Sequence, residues 1–390
     1  MKHISKLLLV QTAVMVLFLA SSAFGANKPM HYVFTNNDTA GKISNSSNFY
    51  TVHAGGSLTQ KAIVTTGAGG IGGGYFGLNK VSALRKGRDQ CVYISDSSSG
   101  EVATVVVQTL KLAGTFAGSQ TDSGQFNGIG LAMNSNYLYA SFTASNTIGT
   151  FEVLPGCQLK FLGDVKAKGL KGGSLDGMAV HLNLLVVTYI DGSIESFEIS
   201  QGKPVSNRDK QYSTGFIKAG DAPGGVDITQ DGHYAIFGDV SVTTTVEVSD
   251  ISSGKLTKTI VYRLGSSPNS SSVLLSPDET LLYISNTQGG QITAAFFEKT
   301  TGKLTKGCTS GPLKGFDTHW AYVGTLATEN ISGTGDVLYA AEYGSPGSIG
   351  IVEVKSSGGE CTLKESPHSP AIDAQSTGLL SIGVFPPRSF

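Results

Sequence analysis

The sequence is poor in charge. Lys, Arg, Asp and Glu make up only 15% of the 390 residues, and the formal net charge is −1. Proteins that bind nucleic acid gain much of their affinity by placing many Lys and Arg side chains against phosphates. The composition offers no broad basic surface of this kind, so we expect no nucleic-acid partner.

Cysteine is also scarce, and its spacing does not match a metal site. The four cysteines are Cys91, Cys157, Cys308 and Cys361, and none forms a Cys-x-x-Cys pair or lies beside a His at ligand spacing. This excludes the usual structural zinc motifs, and we expect neither a metal nor an organic cofactor. Four cysteines allow three disulfide pairings.

Long hydrophobic runs are missing except near the first residue. Lys2 and Lys6 precede an apolar stretch from Leu7 to Ala20, and Ala23-Phe24-Gly25 supplies small residues after it. Fourteen residues are fewer than the roughly 20 that span a bilayer, so the pattern predicts a signal peptide over residues 1–25 rather than a membrane anchor. We therefore expect a secreted or periplasmic protein with disulfides and no membrane contact after cleavage.

Glycine is abundant, and a long segment occurs twice. Gly accounts for 51 residues, while the hydrophobic fraction of 40% is that of a folded protein, which together favour many short strands joined by tight turns. The segment VDITQDGHYAIFGD starts at Val226, and VLLSPDETLLYISN repeats its pattern from Val273. Each has an apolar run, a polar turn and a second run rich in β-formers.

Seven copies of this pattern can be found. Corresponding positions in successive copies are 46 to 61 residues apart, a period typical of propeller blades or solenoid units. Two further strand-like runs follow, joined by hairpin signals such as Thr301-Gly302-Lys303, so each copy predicts four strands. The corresponding positions are Tyr32, Tyr93, Tyr139, Val187, Ile236, Tyr283 and Tyr339.

The two ends of the repeat array complement one another. The first copy, MHYVFTNN, has no preceding apolar strand, whereas TGLLSIGVF, from Thr377 to Phe385, is an apolar strand without a continuation. The last strand can therefore complete the first copy. We predict an all-β fold, a seven-bladed β-propeller of four-stranded antiparallel blades in one domain over residues 26–390.

The blade pattern resembles a known enzyme family. SPDETLLYISN, followed by an aromatic-rich third strand and TGKLT, is similar to the seven-bladed lactonase family, which includes 6-phosphogluconolactonase-like and muconate-cyclising enzymes. The similarity covers nearly the whole mature chain. It implies a central pocket with an Arg-His pair before one inner strand and a Glu after the next strand. Here Gly224 and Gly225 replace Arg and His, and Val240 replaces Glu, so we expect hydrolysis to be weak, altered or absent.

Three residues are candidate catalytic groups. Asp317 and His319 lie in FDTHW before the seventh copy, where an Asp can orient a His for proton transfer. Glu342 ends the second strand of the same copy and is expected near the same funnel. The alternatives are that His319 caps a loop and that Glu342 is a solvated loop acid.

Two residues are candidate ligand contacts. Trp320, the only Trp, could stack against a sugar ring, and Asp176 could place a carboxylate across the funnel. The alternatives are packing of Trp320 between blades and an ordinary Asp-Gly turn at Asp176.

The predicted blades suggest a disulfide pairing. Cys91 precedes the second strand of copy two, and Cys157 lies in the hairpin between the third and fourth strands of copy three. In adjacent meanders these connections lie on the same face. Cys91 is therefore expected to pair with Cys157, which leaves Cys308 to pair with Cys361.

Two functions fit these observations. The first is an exported lactonase-like propeller that binds a small sugar-derived or lactone ligand in its central funnel. The alternative is a non-catalytic scaffold that binds a protein or polysaccharide partner. In either case we expect a monomer.

Overall fold

The computed structural model of the protein describes residues 31–41, 44–72, 79–118, 128–207, 212–213, 223–241, 243–287, 289–315, 323–331, 335–342, 346–374 and 381–387. The predicted signal peptide at residues 1–25 lies outside them. No helix in these ranges is long and apolar enough to cross a membrane.

The described residues form seven antiparallel sheets, and each is one blade of a propeller. The innermost strand of every blade contacts the innermost strands of both neighbouring blades, so the seven blades close into a ring. The prediction of a seven-bladed, all-β propeller is confirmed.

Blades 1 to 3 contain eleven of the strands in chain order, together with the closing strand β30. Short 3₁₀ turns, Ala54–Gly56 and Pro155–Cys157, occupy two of their outer hairpins. From the axis outward, blade 1 consists of β30 (Ser381–Phe385), β1 (Tyr32–Asn36), β2 (Ser46–Val52) and β3 (Leu58–Thr65); blade 2 of β4 (Val81–Lys86), β5 (Asp89–Asp96), β6 (Glu101–Val106) and β7 (Lys111–Ala117); blade 3 of β8 (Ile129–Met133), β9 (Tyr137–Phe142), β10 (Thr147–Leu154) and β11 (Gln158–Lys166).

Blades 4 to 7 follow the same order, but blades 4 and 7 each gain a short fifth strand that the repeat does not predict. The strands are β12 (Leu175–His181), β13 (Leu184–Tyr189), β14 (Ser193–Ser200), β15 (Lys203–Ser206) and the extra β16 (Tyr212–Ser213) in blade 4; β17 (Pro223–Ile228), β18 (Tyr234–Asp239), β19 (Thr244–Asp250) and β20 (Thr259–Gly265) in blade 5; β21 (Ser270–Leu275), β22 (Leu281–Asn286), β23 (Gln291–Glu298) and β24 (Lys303–Thr309) in blade 6; β25 (Val323–Ile331), β26 (Gly335–Glu342), β27 (Gly347–Ser357), β28 (Glu360–Glu365) and the extra β29 (Ala371–Asp373) in blade 7.

Strand β30 closes the ring by pairing with β1. The register runs from Tyr32 opposite Phe385 to Asn36 opposite Ser381. One strand from the end of the chain therefore completes a blade whose other three strands come from the beginning, as the sequence predicts.

The second strands supply the core between blades. Tyr93, Tyr139, Tyr283 and Tyr339 are fully buried, because each blade has a neighbour on both of its faces. The hydroxyls of Tyr139 and Tyr339 donate to the carbonyl oxygens of Gly202 and Gly56 in the next blade, each at 3.2 Å. Both glycines have positive φ, and in blades 3 and 7 the repeated Tyr therefore ties its blade to an outer hairpin of the next blade.

Two disulfides join neighbouring blades. Cys91 pairs with Cys157 and Cys308 pairs with Cys361, each with Cα atoms 5.6 Å apart. The predicted pairing is confirmed, although Cys91 lies inside β5 rather than before it. Such bonds are typical of an oxidising, extracytoplasmic environment.

Candidate functional site

The last residues of the seven second strands form a ring at one face of the propeller, which we call the strand-end ring. The inner strands start at this same face, because they run antiparallel to the second strands. All seven side chains are at most 3% exposed. The ring comprises Asn36, Asp96, Phe142, Tyr189, Asp239, Asn286 and Glu342. Three carboxyl groups are thus buried at the face where the inner strands begin.

Four inner strands carry a β-bulge at this face. The bulges of blades 4 to 7 fall between Leu175 and Met178, Pro223 and Val226, Ser270 and Ser272, and Val323 and Leu326. A bulge bends its strand and redirects side chains, and bulges are frequent beside functional sites. Asp176 lies in the blade 4 bulge and is 6% exposed. It belongs to a strand and not to an Asp-Gly turn, which makes that alternative wrong.

The blade 5 bulge has no room for a side chain at Gly224. A Cβ on Gly224 would lie 2.4 Å from the carbonyl oxygen of Ser271 in blade 6, and a Cβ on Gly177 would lie 2.3 Å from the carbonyl oxygen of Gly224. The backbones of blades 4, 5 and 6 therefore meet directly at this level. Gly224 is the position for which the family resemblance implies an Arg, and no larger side chain fits on this backbone.

Glu342 is the candidate catalytic residue that the structure describes. Its side chain is 1% exposed, so the alternative of a solvated loop acid is wrong. The Ser348 hydroxyl donates to Oε2, whereas Oε1 has no hydrogen-bond partner. Burial raises the pKa of Glu342 to about 7, the charge of Glu365 acts in the same direction, and the Ser348 hydrogen bond opposes them.

Two glycines make room for the Glu342 carboxyl group. A Cβ on Gly350 would lie 2.7 Å from Oε1, and a Cβ on Gly315 would overlap Oε2. The carboxyl group therefore fits only because neither flanking residue has a side chain.

A second polar cluster lies between blades 1 and 2. Lys80, just before β4, places Nζ 2.6 Å from Asp38 Oδ2, and both side chains are fully buried. Asp96 Oδ1 accepts hydrogen bonds from Asn45 Nδ2 and Thr66 Oγ1, each at 2.8 Å, whereas Asp96 Oδ2 has no hydrogen-bond partner. Burial raises the pKa of Asp96 to about 7. Among the described residues of this cluster Lys80 is the basic group, and its charge is paired with that of Asp38.

The other predicted residues lie outside the described ranges. Asp317, His319 and Trp320 belong to residues 316–322, so their roles and their predicted convergence with Glu342 stay predictions. Asp176 and Glu342 both lie at the strand-end face, in blades 4 and 7.

Sequence reasoning missed Lys80, Asp96 and the buried Glu247 of β19. In the run TTVEVSD, Glu247 alternates with valines and therefore suggests a solvent-facing position. A propeller blade is covered on both faces, so this alternation does not distinguish inside from outside. A charged residue in the middle of a third strand is the signal that could have identified Glu247, and a charged residue at the end of a second strand is the signal that could have identified Asp96.

Comparisons with known proteins agree with the fold. No family model and no curated protein sequence matches the chain. Solved structures do match, among them two described as a "putative 6-phosphogluconolactonase". The protein from Bacteroides uniformis is 14% identical, with 92% of this chain and 100% of that chain covered and a TM-score of 0.68. The protein from Bacteroides fragilis is 15% identical, with 92% and 99% covered and a TM-score of 0.68.

A third structure, of a protein from Lactobacillus plantarum, is 11% identical, covers 92% of this chain and 100% of its own, and has a TM-score of 0.65. The fold is shared. Lactonase-like propellers therefore have the architecture of this chain over nearly their full length, and at these identities the likeness concerns architecture alone.

Proposed function

We propose that this protein is an exported lactonase-like propeller that binds a small sugar-derived or lactone ligand at the strand-end face. Glu342 transfers the proton in a hydrolysis that is slower than that of the enzymes the sequence resembles. Asp176, in the blade 4 bulge, contacts the ligand. The predicted leader and the two disulfides support export.

The observation that carries this proposal is the environment of Glu342. One carboxylate oxygen is fixed by Ser348, the other is unpartnered, and the side chain is 1% exposed to bulk solvent. A carboxyl group with a pKa of about 7 can both donate and accept a proton at neutral pH. Lactone hydrolysis needs both transfers, first from the attacking water and then to the leaving oxygen.

The charges of this face favour an uncharged ligand. The described members of the strand-end ring and the inner-strand starts include the acids Asp96, Asp176, Asp239 and Glu342. Lys80 is the one basic residue among them, and Asp38 neutralises it. Among the described residues of this face, a phosphate group would therefore meet carboxyl groups without a free cation to balance it, unlike a neutral aldonolactone.

The test is hydrolysis of neutral γ- and δ-lactones and of a 6-phosphorylated aldonolactone by the mature protein and by Glu342→Gln. We expect turnover of neutral lactones, a loss of about 100-fold or more in kcat in the variant, and no preference for the phosphorylated substrate. Glu360→Gln, an exposed residue of the same blade, serves as the control and should leave kcat unchanged.

Glu342→Gln is close in shape to the protonated acid, so its thermal midpoint should remain near that of the parent protein. Equal turnover by the parent and this variant would exclude Glu342 as the proton-transfer group. Absence of turnover for every lactone would remove the enzymatic part of the proposal.

The closed blade 5 bulge favours a second candidate, a non-catalytic scaffold. Without room for a side chain at Gly224, the chain has no Arg at the position that the resemblance assigns to ligand recognition. In that case the face binds a polysaccharide or protein. Binding of neutral oligosaccharides without any lactone turnover would support this candidate.

A further inference from the structure

One position in the seam between blades can be compared across three neighbouring blades. In blade 4 the strand-end residue Tyr189 donates its hydroxyl to Glu195 Oε2 at 2.5 Å. The Ser206 hydroxyl donates to the other oxygen, Glu195 Oε1. Glu195 lies opposite Val187 in the register. A fully buried carboxylate is thus supplied with a donor for each oxygen.

Blade 6 fills the same position with neutral groups. The strand-end residue Asn286 donates from Nδ2 to Thr293 Oγ1 at 2.8 Å, and Thr293 lies opposite Ile284. Thr244 Oγ1 donates to Asn286 Oδ1 at 3.2 Å. The polar atoms of this seam position are therefore satisfied without any charge.

Blade 5 differs from both neighbours. Its strand-end residue is Asp239, and Glu247 lies opposite Phe237, the position equivalent to that of Glu195 in blade 4. Glu247 is fully buried, and neither of its carboxylate oxygens has a hydrogen-bond partner. Blade 5 therefore has two acids at this position. Blade 4 has an acid with two hydroxyl donors, and blade 6 has an amide that is hydrogen-bonded to hydroxyl groups.

The register shows where these acids point. Phe237 packs with Leu184 and Ile194 of blade 4, and side chains two residues apart on a strand share a face. Asp239 therefore faces blade 4, together with Glu247 and with Thr245, which lies opposite Asp239. Three oxygen-bearing side chains therefore lie on the face of blade 5 that packs against blade 4, and the Thr245 hydroxyl also donates to the carbonyl oxygen of Thr243 at 3.2 Å.

Among the residues that the structure describes, no basic group forms an ion pair with Glu247. Arg263 lies opposite Thr245 on β20, but its side chain is exposed and makes no ion pair with Glu247. Burial raises the pKa of Glu247 to about 8, and the charge of Asp239 acts in the same direction. A protein rarely retains a buried carboxyl group with both oxygens unpartnered, and such a group calls for an unidentified donor or cation.

We propose that Asp239 and Glu247, with the Thr245 hydroxyl, bind a calcium ion between blades 4 and 5. The ion supplies positive charge to the two acids of blade 5. In blades 4 and 6, hydroxyl and amide donors satisfy the oxygens at the equivalent position instead. The site is separate from Glu342, which lies in blade 7.

The donor set favours calcium over other metals. All three candidate ligands are hard oxygen donors, which suit Ca²⁺, and no His or Cys supplies the nitrogen or sulfur that zinc prefers. No three His, Cys, Asp or Glu side chains of the described ranges converge as metal ligands, so backbone oxygens or water must complete the shell. Extracytoplasmic modules of this kind bind Ca²⁺ with dissociation constants of about 10⁻⁴ to 10⁻³ M.

The test is calorimetric titration of chelator-treated mature protein with Ca²⁺ at pH 7.5. We expect one ion per chain and a weakening of at least about tenfold in Glu247→Gln. Glu195→Gln, at the same position of blade 4, is the matched control and should bind Ca²⁺ like the parent.

Glu247→Gln removes a charge without changing the shape of the side chain, so it should fold. Should it fail to do so, the titration of the parent protein beside Glu195→Gln still decides the matter. No Ca²⁺ binding by the parent, equal binding by Glu247→Gln, or binding of Mg²⁺ with the same affinity would overturn the assignment. Because lactone turnover is measured separately with Glu342→Gln, the two proposals fail independently.

Discussion

Single residues at the strand-end face are constrained by backbone contact. Gly177 and Gly224 are glycines because the carbonyl oxygen of the next blade occupies the space of a Cβ. This constraint comes from the approach of two inner strands and not from an unusual backbone angle. It explains why glycine occupies these two positions in blades 4 and 5.

Gly224→Ala should therefore destabilise the protein. The new Cβ would lie 2.4 Å from the Ser271 carbonyl oxygen, so the two strands must separate. We expect the free energy of unfolding to fall by about 1 to 3 kcal/mol in a denaturant titration. Gly311→Ala, where a Cβ meets nothing within 4 Å, is the control and should change stability little. Equal stability of the two variants would contradict the tight contact.

At the scale of strands and blades, the sequence predicts what depends on local pattern. The apolar runs of the second strands, the glycine-containing hairpins and the unpaired last strand predicted seven blades and their closure. The bulges at Asp176 and Gly224 could not be predicted, because a bulge is a property of the register between two strands. The meeting of Asp239 with Glu247 escaped prediction for the same reason, since it needs the pairing of β18 with β19.

The candidate site was predictable only in part. Glu342 was identified because it ends a second strand, and its position at that strand end is confirmed. Its burial depends on Gly315 and Gly350, residues that no local pattern links to it. The hydroxyl donors of Glu195 likewise come from two different strands, β13 and β15.

The two disulfides should differ in their reaction with reductants. Cys91 and Cys157 are 2% and 1% exposed, whereas Cys308 and Cys361 are half-buried. A thiolate must reach a sulfur atom to open a disulfide. Low concentrations of reductant should open Cys308–Cys361 first, as followed by alkylation of the native protein and peptide mapping. Earlier alkylation of Cys91 or Cys157 would refute this order.

For the whole molecule, buried acids make stability depend on pH. The pKa values of Asp96 and Glu342 are raised to about 7 and that of Glu247 to about 8, chiefly by burial, against about 4 in an unfolded chain. Between pH 4 and 8 the folded state therefore holds more protons at these groups than the unfolded state. The stability that these groups contribute is complete below pH 4 and is lost as the pH rises to 8.

The low-pH limit is set by other acids. Asp191, Asp231 and Asp278 have lowered pKa values, because the hydrogen bonds they accept outweigh the effect of burial, which acts in the opposite direction. Stability from these residues is lost as the pH falls below about 4.

Without calcium, the thermal midpoint should therefore be highest near pH 5 and fall towards pH 8, as measured by scanning calorimetry in the presence of a chelator. The triple variant Asp96→Asn, Glu247→Gln, Glu342→Gln should lose most of this fall. A parent midpoint that increases steadily from pH 5 to pH 8 would show that these acids are not buried in their neutral form.

Closure of the ring by β30 also bears on how copies of the chain interact. Until β30 pairs, β1 presents an open strand edge in blade 1, and β30 itself is an apolar strand without a partner. The same pairing can form between two chains, since the β30 of one copy fits the blade 1 of another. Slow folding at high protein concentration would then yield strand-exchanged dimers in which every blade is complete. Dilution before refolding would favour the monomer, in which β30 closes the ring of its own chain.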